Sequence, residues 1–140
     1  MQAKFRNFAI RLVRTSIRPV SVKALRGATQ VAANDADSIR TGTVELVVEL
    51  LSRNGLTSED LISCIFTVTP DLNAEFPATA AREAGLDQVP LLCASEIPVP
   101  GAMERVVRVL VHCELAEGRV AEHVYLSGAQ ALRPDLNSAQ

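Results

Sequence analysis

The 140 residues carry 48% hydrophobic content and a formal charge of −2, enough for one domain that buries roughly two-thirds of its unfolded surface. No apolar run reaches the ~18 to 20 residues of a membrane span, because Arg108 interrupts 106–111 and His112 and Glu114 follow it; the odd set Cys64, Cys93 and Cys113 lacks a C-x-x-C or a histidine at zinc spacing, which argues against a disulfide framework or a metal centre. Seven basic residues, Lys4 to Arg26, precede the first acid, Asp35, whereas the remainder sets seven arginines against sixteen acids, so phosphate repulsion excludes nucleic acid as a partner of the folded part.

The opening stretch MQAKFRNFAIRLVRTSIRPV is arginine-rich and acid-free, with Phe5, Phe8, Ile10, Leu12 and Val13 in a loose amphipathic pattern. A targeting segment, a membrane-surface helix and an extension without a role all fit it. The expected organisation is a basic extension at 1–21, disordered or dispensable, and one domain at 22–140. Pro19 ends any helix there, and 20–25 alternates as a strand that delivers Arg26-Gly27-Ala28-Thr29 at its end.

Asn34 with Asp37 has the spacing of a capping box, and Ile39, Thr43, Leu46, Val47, Leu50 and Leu51 repeat at helical spacing until Asn54-Gly55. Thr57-Ser58-Glu59-Asp60 caps a shorter helical turn, 64–69 is β-rich and suited to a central strand, and Pro70-Asp71 ends it. Phe76-Pro77 opens a short helix with Arg82 in its body and Gly85 at its stop. A strand is predicted at 88–92, and a long strand from Val106 to about Glu114 places Arg108, Leu110 and His112 on one face. Gly118 marks a hairpin connection to 120–126, and 129–135 holds one helical turn broken by Pro134. The order βαβαβ followed by a hairpin predicts an α+β fold, a mixed sheet with helices packed on one face.

The stretch LLCASEIPVPGAMERVVRV, 91–109, combines a thiol at Cys93, a carboxylate at Glu96 and a guanidinium at Arg108 around a proline-rich turn, and the turn predicts that the three stand side by side. Arg26, Arg82 and Arg133 add cations. The two histidines, His112 and His123, lie on predicted strands without a cysteine-hydrolase signature around Cys93 and read as ordinary sheet residues. No ligand spacing suits a catalytic metal, and no glycine-rich phosphate cradle follows a strand. What is left is arginines with one carboxylate, one thiol and the phenol of Tyr125. That set suits a small polyanion, because guanidinium groups bind carboxylates by paired, charge-assisted hydrogen bonds and can meet charge that develops in a transition state.

Arg26-Gly27-Ala28-Thr29, the run from Thr67-Val68-Thr69-Pro70-Asp71 through Phe76-Pro77-Ala78, Val89-Pro90 with Cys93 and Glu96, Arg108-Val109, His123-Val124-Tyr125-Leu126 and Leu132-Arg133-Pro134-Asp135-Leu136 together resemble the monofunctional, trimeric α/β class of chorismate mutase, of the Bacillus type. The resemblance runs collinearly from about Lys23 to the C-terminus. It implies an isomerase that needs no cofactor and converts chorismate to prephenate by an intramolecular Claisen rearrangement, in the cytoplasmic synthesis of phenylalanine and tyrosine. It also implies a homotrimer whose sheets form a pseudo-α/β barrel, with sites between subunits and neither nucleic acid nor membrane as a partner. Residue by residue, Arg108 matches the group facing the ether oxygen whose bond breaks. Glu96 and Cys93 match groups near the ring hydroxyl, and Arg26 and Tyr125 match groups holding carboxylate. Phe76, Ala78, Arg82 and Leu132 match residues that line or close the pocket, and Arg133 a tail arginine at its mouth. Thr79 departs from the pattern, standing where some relatives have lysine. Two other activities stay open on these residues: a non-catalytic chorismate sensor, and an imine or enamine hydrolase of similar trimeric architecture, which would need Glu96 to activate water.

Overall fold

In the computed structural model, which describes residues 19–135, the long strand β4 (Val106–Ala116) is the one against which the sheet is laid. Its alternation sends Val107, Val109, Val111, Cys113 and Leu115 to one face, all buried, and Arg108, Leu110, His112 and Glu114 to the other. β1 (Val20–Gln30) and β2 (Leu61–Val68) flank it antiparallel, β3 (Leu91–Ser95) lies parallel to β2, and β5 (Val124–Leu126) lies parallel to β1. The strand order is β3-β2-β4-β1-β5, a mixed sheet as expected.

Both helices lie on the face that carries the buried valines. α1 (Ala36–Asn54) buries Ile39, Thr43, Leu46, Val47 and Leu50 against the sheet, the stripe its spacing foretold. Leu25 of β1 and Phe66 of β2 complete this core from below, both fully buried, each contributing about 1.5 to 3 kcal/mol. α1 stops where Gly55 enters the left-handed region at φ 61° and its N–H returns to the carbonyl groups of Leu51 and Ser52. α2 (Pro77–Ala81) starts on proline, runs into a wider turn through Leu86 that accommodates Gly85 at φ 106°, and packs beside α1.

Several boundaries differ from the sequence reading. Asp35, not Asn34, caps α1, accepting from the Ser38 N–H at 2.7 Å; Asn34 instead clamps the loop before α2, with its Oδ1 accepting from the N–H groups of Asn73 and Ala74 at 3.0 and 3.1 Å. β1 does not end before Arg26 but continues to Gln30, since every residue to that point pairs with β4. The strand expected at 88–92 begins at Leu91, because Val89 turns back to the Leu86 carbonyl and Pro90 has no N–H to offer. The expected hairpin after β4 is absent. β1 and β2 already occupy both sides of β4, so the chain crosses over and β5 adds to the free edge of β1. Asn54 secures that crossing: buried, it donates to the Glu122 carbonyl and accepts from the Glu122 N–H, at 2.9 and 2.8 Å.

The segment expected as a basic extension, 1–21, lies outside the described residues up to position 18; Val20 and Ser21 already belong to β1, opposite Ala116 and Leu115. Among the described residues no helix is long and apolar enough to cross a membrane.

Candidate active site

The sheet face opposite α1 and α2 carries Arg26 and Arg108. Register sets Arg108 between Ala28 of β1 and Thr67 of β2, and Arg26, two residues from Ala28, shares that face. With Tyr125 of β5 and Leu132 and Arg133 beyond it, they line an open cleft of about 330 Å³. Arg108 Nε lies 2.9 Å from Glu96 Oε1, and the Thr67 hydroxyl donates to the same oxygen at 2.8 Å. The backbone of Glu96 is held as well, its N–H donating to the Val68 carbonyl at 2.9 Å. With the Arg108 side chain 46% exposed, such a pair adds at most about 1 kcal/mol of stability. Its importance is therefore in aiming the guanidinium.

Arg133 and Asp135 form a two-pronged pair at 3.0 and 2.8 Å, and the Asp135 carboxylate holds the Arg133 guanidinium above its ordinary range. Arg26 is fixed through its backbone, whose N–H donates to His123 Nδ1 at 3.0 Å. Sequence reading left His123 as an ordinary strand residue and gave Thr67 no role; neither contact is visible without the pairing register.

Cys93 is placed elsewhere. It sits opposite Phe66 in the β2–β3 ladder, and Phe66 faces the helices, so the side-by-side arrangement of Cys93 with Glu96 and Arg108 does not occur within one chain. In an extended segment, residues three apart point to opposite sides. Cys93 instead lines a second cleft of about 380 Å³ at the β3 edge, with Ser95, Phe76 and Pro77. Phe76 is 68% exposed there, Ala78 is buried in the first turn of α2, and Arg82 is exposed just beyond it. Thr79, where a cation stands in some relatives, is half-buried. The other two thiols are core groups: burial, with Cys113 nearby, pushes Cys64 up to about 11, and burial likewise raises Cys113, so neither is a ready nucleophile.

The family model for chorismate mutase type I matches residues 22–136. The chain belongs to this family. It is thus an isomerase of the monofunctional, Bacillus type. It is similar to the chorismate mutase AroH of Thermus thermophilus, with 48% identity over 122 residues, 85% of this chain and 99% of the relative. The chorismate mutase AroH of Bacillus subtilis strain 168 is 34% identical over 119 residues, covering 83% of this chain and 93% of the relative. A solved chorismate mutase from Clostridium thermocellum superposes with a TM-score of 0.73 at 46% identity, covering 78% of this chain and 98% of that one.

His123 gives this mutase fold a pH signature. Burial first, then the charges of Arg26 and Arg133, hold its imidazole below the ordinary value of 6.5. The unfolded chain then binds the proton more readily than the folded one, so stability is independent of this group above that value and falls as pH drops below it, levelling off under the folded-state value. Thermal melts are expected to show a decline beginning near pH 6.5, well above the carboxylate range, and a smaller decline in His123→Gln, whose amide oxygen still accepts the Arg26 N–H. An equal decline in both proteins would remove His123 as its source.

Proposed function

We propose that the protein rearranges chorismate to prephenate in the cytoplasm, in a site that two neighbouring copies of a homotrimer complete together. Chorismate carries two carboxylates and an ether bridge. Arg26 and Tyr125 hold carboxylate, Glu96 and Cys93 meet the ring hydroxyl, and Arg108 faces the ether oxygen. As the C–O bond breaks and the new C–C bond forms, negative charge grows on that oxygen, and a guanidinium already aimed at it lowers the barrier. Confining the flexible side chain over the ring supplies the rest. No proton moves and no covalent intermediate forms. Phe76, Ala78, Arg82 and Leu132 line or close the pocket, Arg133 stands at its mouth, and residues 1–21 are dispensable to it.

The observation that carries this reading is Arg108, 2.9 Å from Glu96, lining a cleft whose other charged lining residues, Arg26 and Arg133, are cationic. The sharing of the site is supported by where its residues fall. Cys93 and Phe76 sit at the β3 edge, with Cys93 turned to the helix side, and Arg108 is on the open face, so the sheet itself separates the two groups. Around that edge Leu92, Ile97 and Phe76 are 61%, 82% and 68% exposed, an apolar rim that suits contact with a second copy.

The direct test follows prephenate formation from chorismate by the purified chain. The rate is expected to stay nearly flat across neutral pH and to be indifferent to chelators. Binding without product would make the protein a sensor, and release of carbonyl product from an imine or enamine, with chorismate left unchanged, would make it a hydrolase.

A further inference from the structure

Thr67 takes no part in the mechanism above, yet its side chain determines how Glu96 stands. It faces Arg108 across the β2–β4 ladder, and its hydroxyl donates to Glu96 Oε1 at 2.8 Å. The same Oε1 is the one 2.9 Å from Arg108 Nε. The Glu96 side chain is 18% exposed, so these partners count for more than they would in open solvent.

A carboxylate whose sole partner is a guanidinium favours the forked arrangement, with both oxygens on two parallel N–H groups. In that arrangement Glu96 would spend both oxygens on Arg108 and Arg108 would spend two donors on Glu96. The threonine hydroxyl opposes this by fixing Oε1 from the β2 side. Oε2 makes no hydrogen bond among the described residues, and it is the atom left to accept from a substrate hydroxyl. We infer that Thr67 is a positioning residue for the rearrangement: it orients Glu96 so that Oε2 faces the ring hydroxyl and the terminal nitrogens of Arg108 stay available to the ether oxygen. The inference rests on the mutase reading of the site.

Thr67→Val removes the hydroxyl and keeps the branched shape that the strand prefers. Its kcat is expected to fall by about tenfold or more, the weight of a hydrogen bond to a charged group, with KM and melting temperature changed much less. Thr67→Ser, which retains the hydroxyl, should recover most of the lost kcat. Thr67→Ala gives the same comparison without the added methyl if the valine variant packs poorly. In a Glu96→Gln background the Thr67→Val change should cost far less than in the unaltered chain, because its effect passes through the carboxylate.

Unchanged kcat in Thr67→Val overturns the proposal. So does a serine variant no better than valine, or an equal loss in the Glu96→Gln background. Each of these outcomes leaves the mutase reading standing as long as the unaltered chain forms prephenate; an unaltered chain that forms none removes that reading and this one with it.

Discussion

Arg108→Ala is expected to lower kcat for chorismate by roughly a hundredfold to a thousandfold, about 3 to 4 kcal/mol of lost transition-state stabilisation. On the proposed mechanism the change deletes the cation that faces the ether oxygen and leaves the Glu96 carboxylate, still held by Thr67, beside an oxygen that gains negative charge. Unfolding does not explain such a loss. The Arg108 side chain is 46% exposed, the opposite face of β4 supplies the core, and an exposed ion pair adds at most about 1 kcal/mol to stability, so the melting temperature should hardly move. Arg108→Lys is expected to recover little, because a point charge on a flexible stem replaces a planar, fixed fork. Steady-state kinetics with prephenate detection decide the matter. Turnover near that of the unaltered chain in Arg108→Ala would end its assignment as the group that meets the breaking bond.

The parts of this site that were legible in the sequence are those written in local periodicity or in short runs. The α1 stripe from Ile39 to Leu50, the glycine stop at Gly55 and the shared face of Arg108, Leu110 and His112 all follow from spacing alone. The roles of Arg26, Tyr125 and Arg133 came from resemblance, since charge and composition say only that an anion is wanted. The position of β5 was lost because its partner, β1, is about a hundred residues away in the chain and nothing local distinguishes a hairpin from a crossover. Thr67 was missed for the same reason: its meaning depends on standing opposite Arg108. Cys93 is a different kind of miss. Its three-residue offset from Glu96 in an extended segment already implied opposite faces, and the proximity of the two in sequence obscured it.

Two inactive variants are expected to restore one another when mixed. Arg108→Ala damages the open-face half of the site and leaves the β3-edge half whole. Phe76→Asp does the reverse, placing a carboxylate where the dianionic substrate would bind, at a residue 68% exposed and so tolerant of the change. If each site takes one half from each of two neighbouring copies, it is intact when a Phe76→Asp copy supplies the open face and an Arg108→Ala copy supplies the edge. Random reassembly of equal amounts produces that pairing in about one site in four. Co-expressed or dissociated and reassembled mixtures should therefore reach about a quarter of the unaltered activity per site, against parents reduced roughly a hundredfold or more. A tag on one variant and sedimentation of the mixture verify that mixed assemblies have formed. Mixed assemblies that gain no activity would mean that each chain builds its site alone, and Cys93 and Phe76, on the far side of the sheet from Arg108, would then have no path to the substrate.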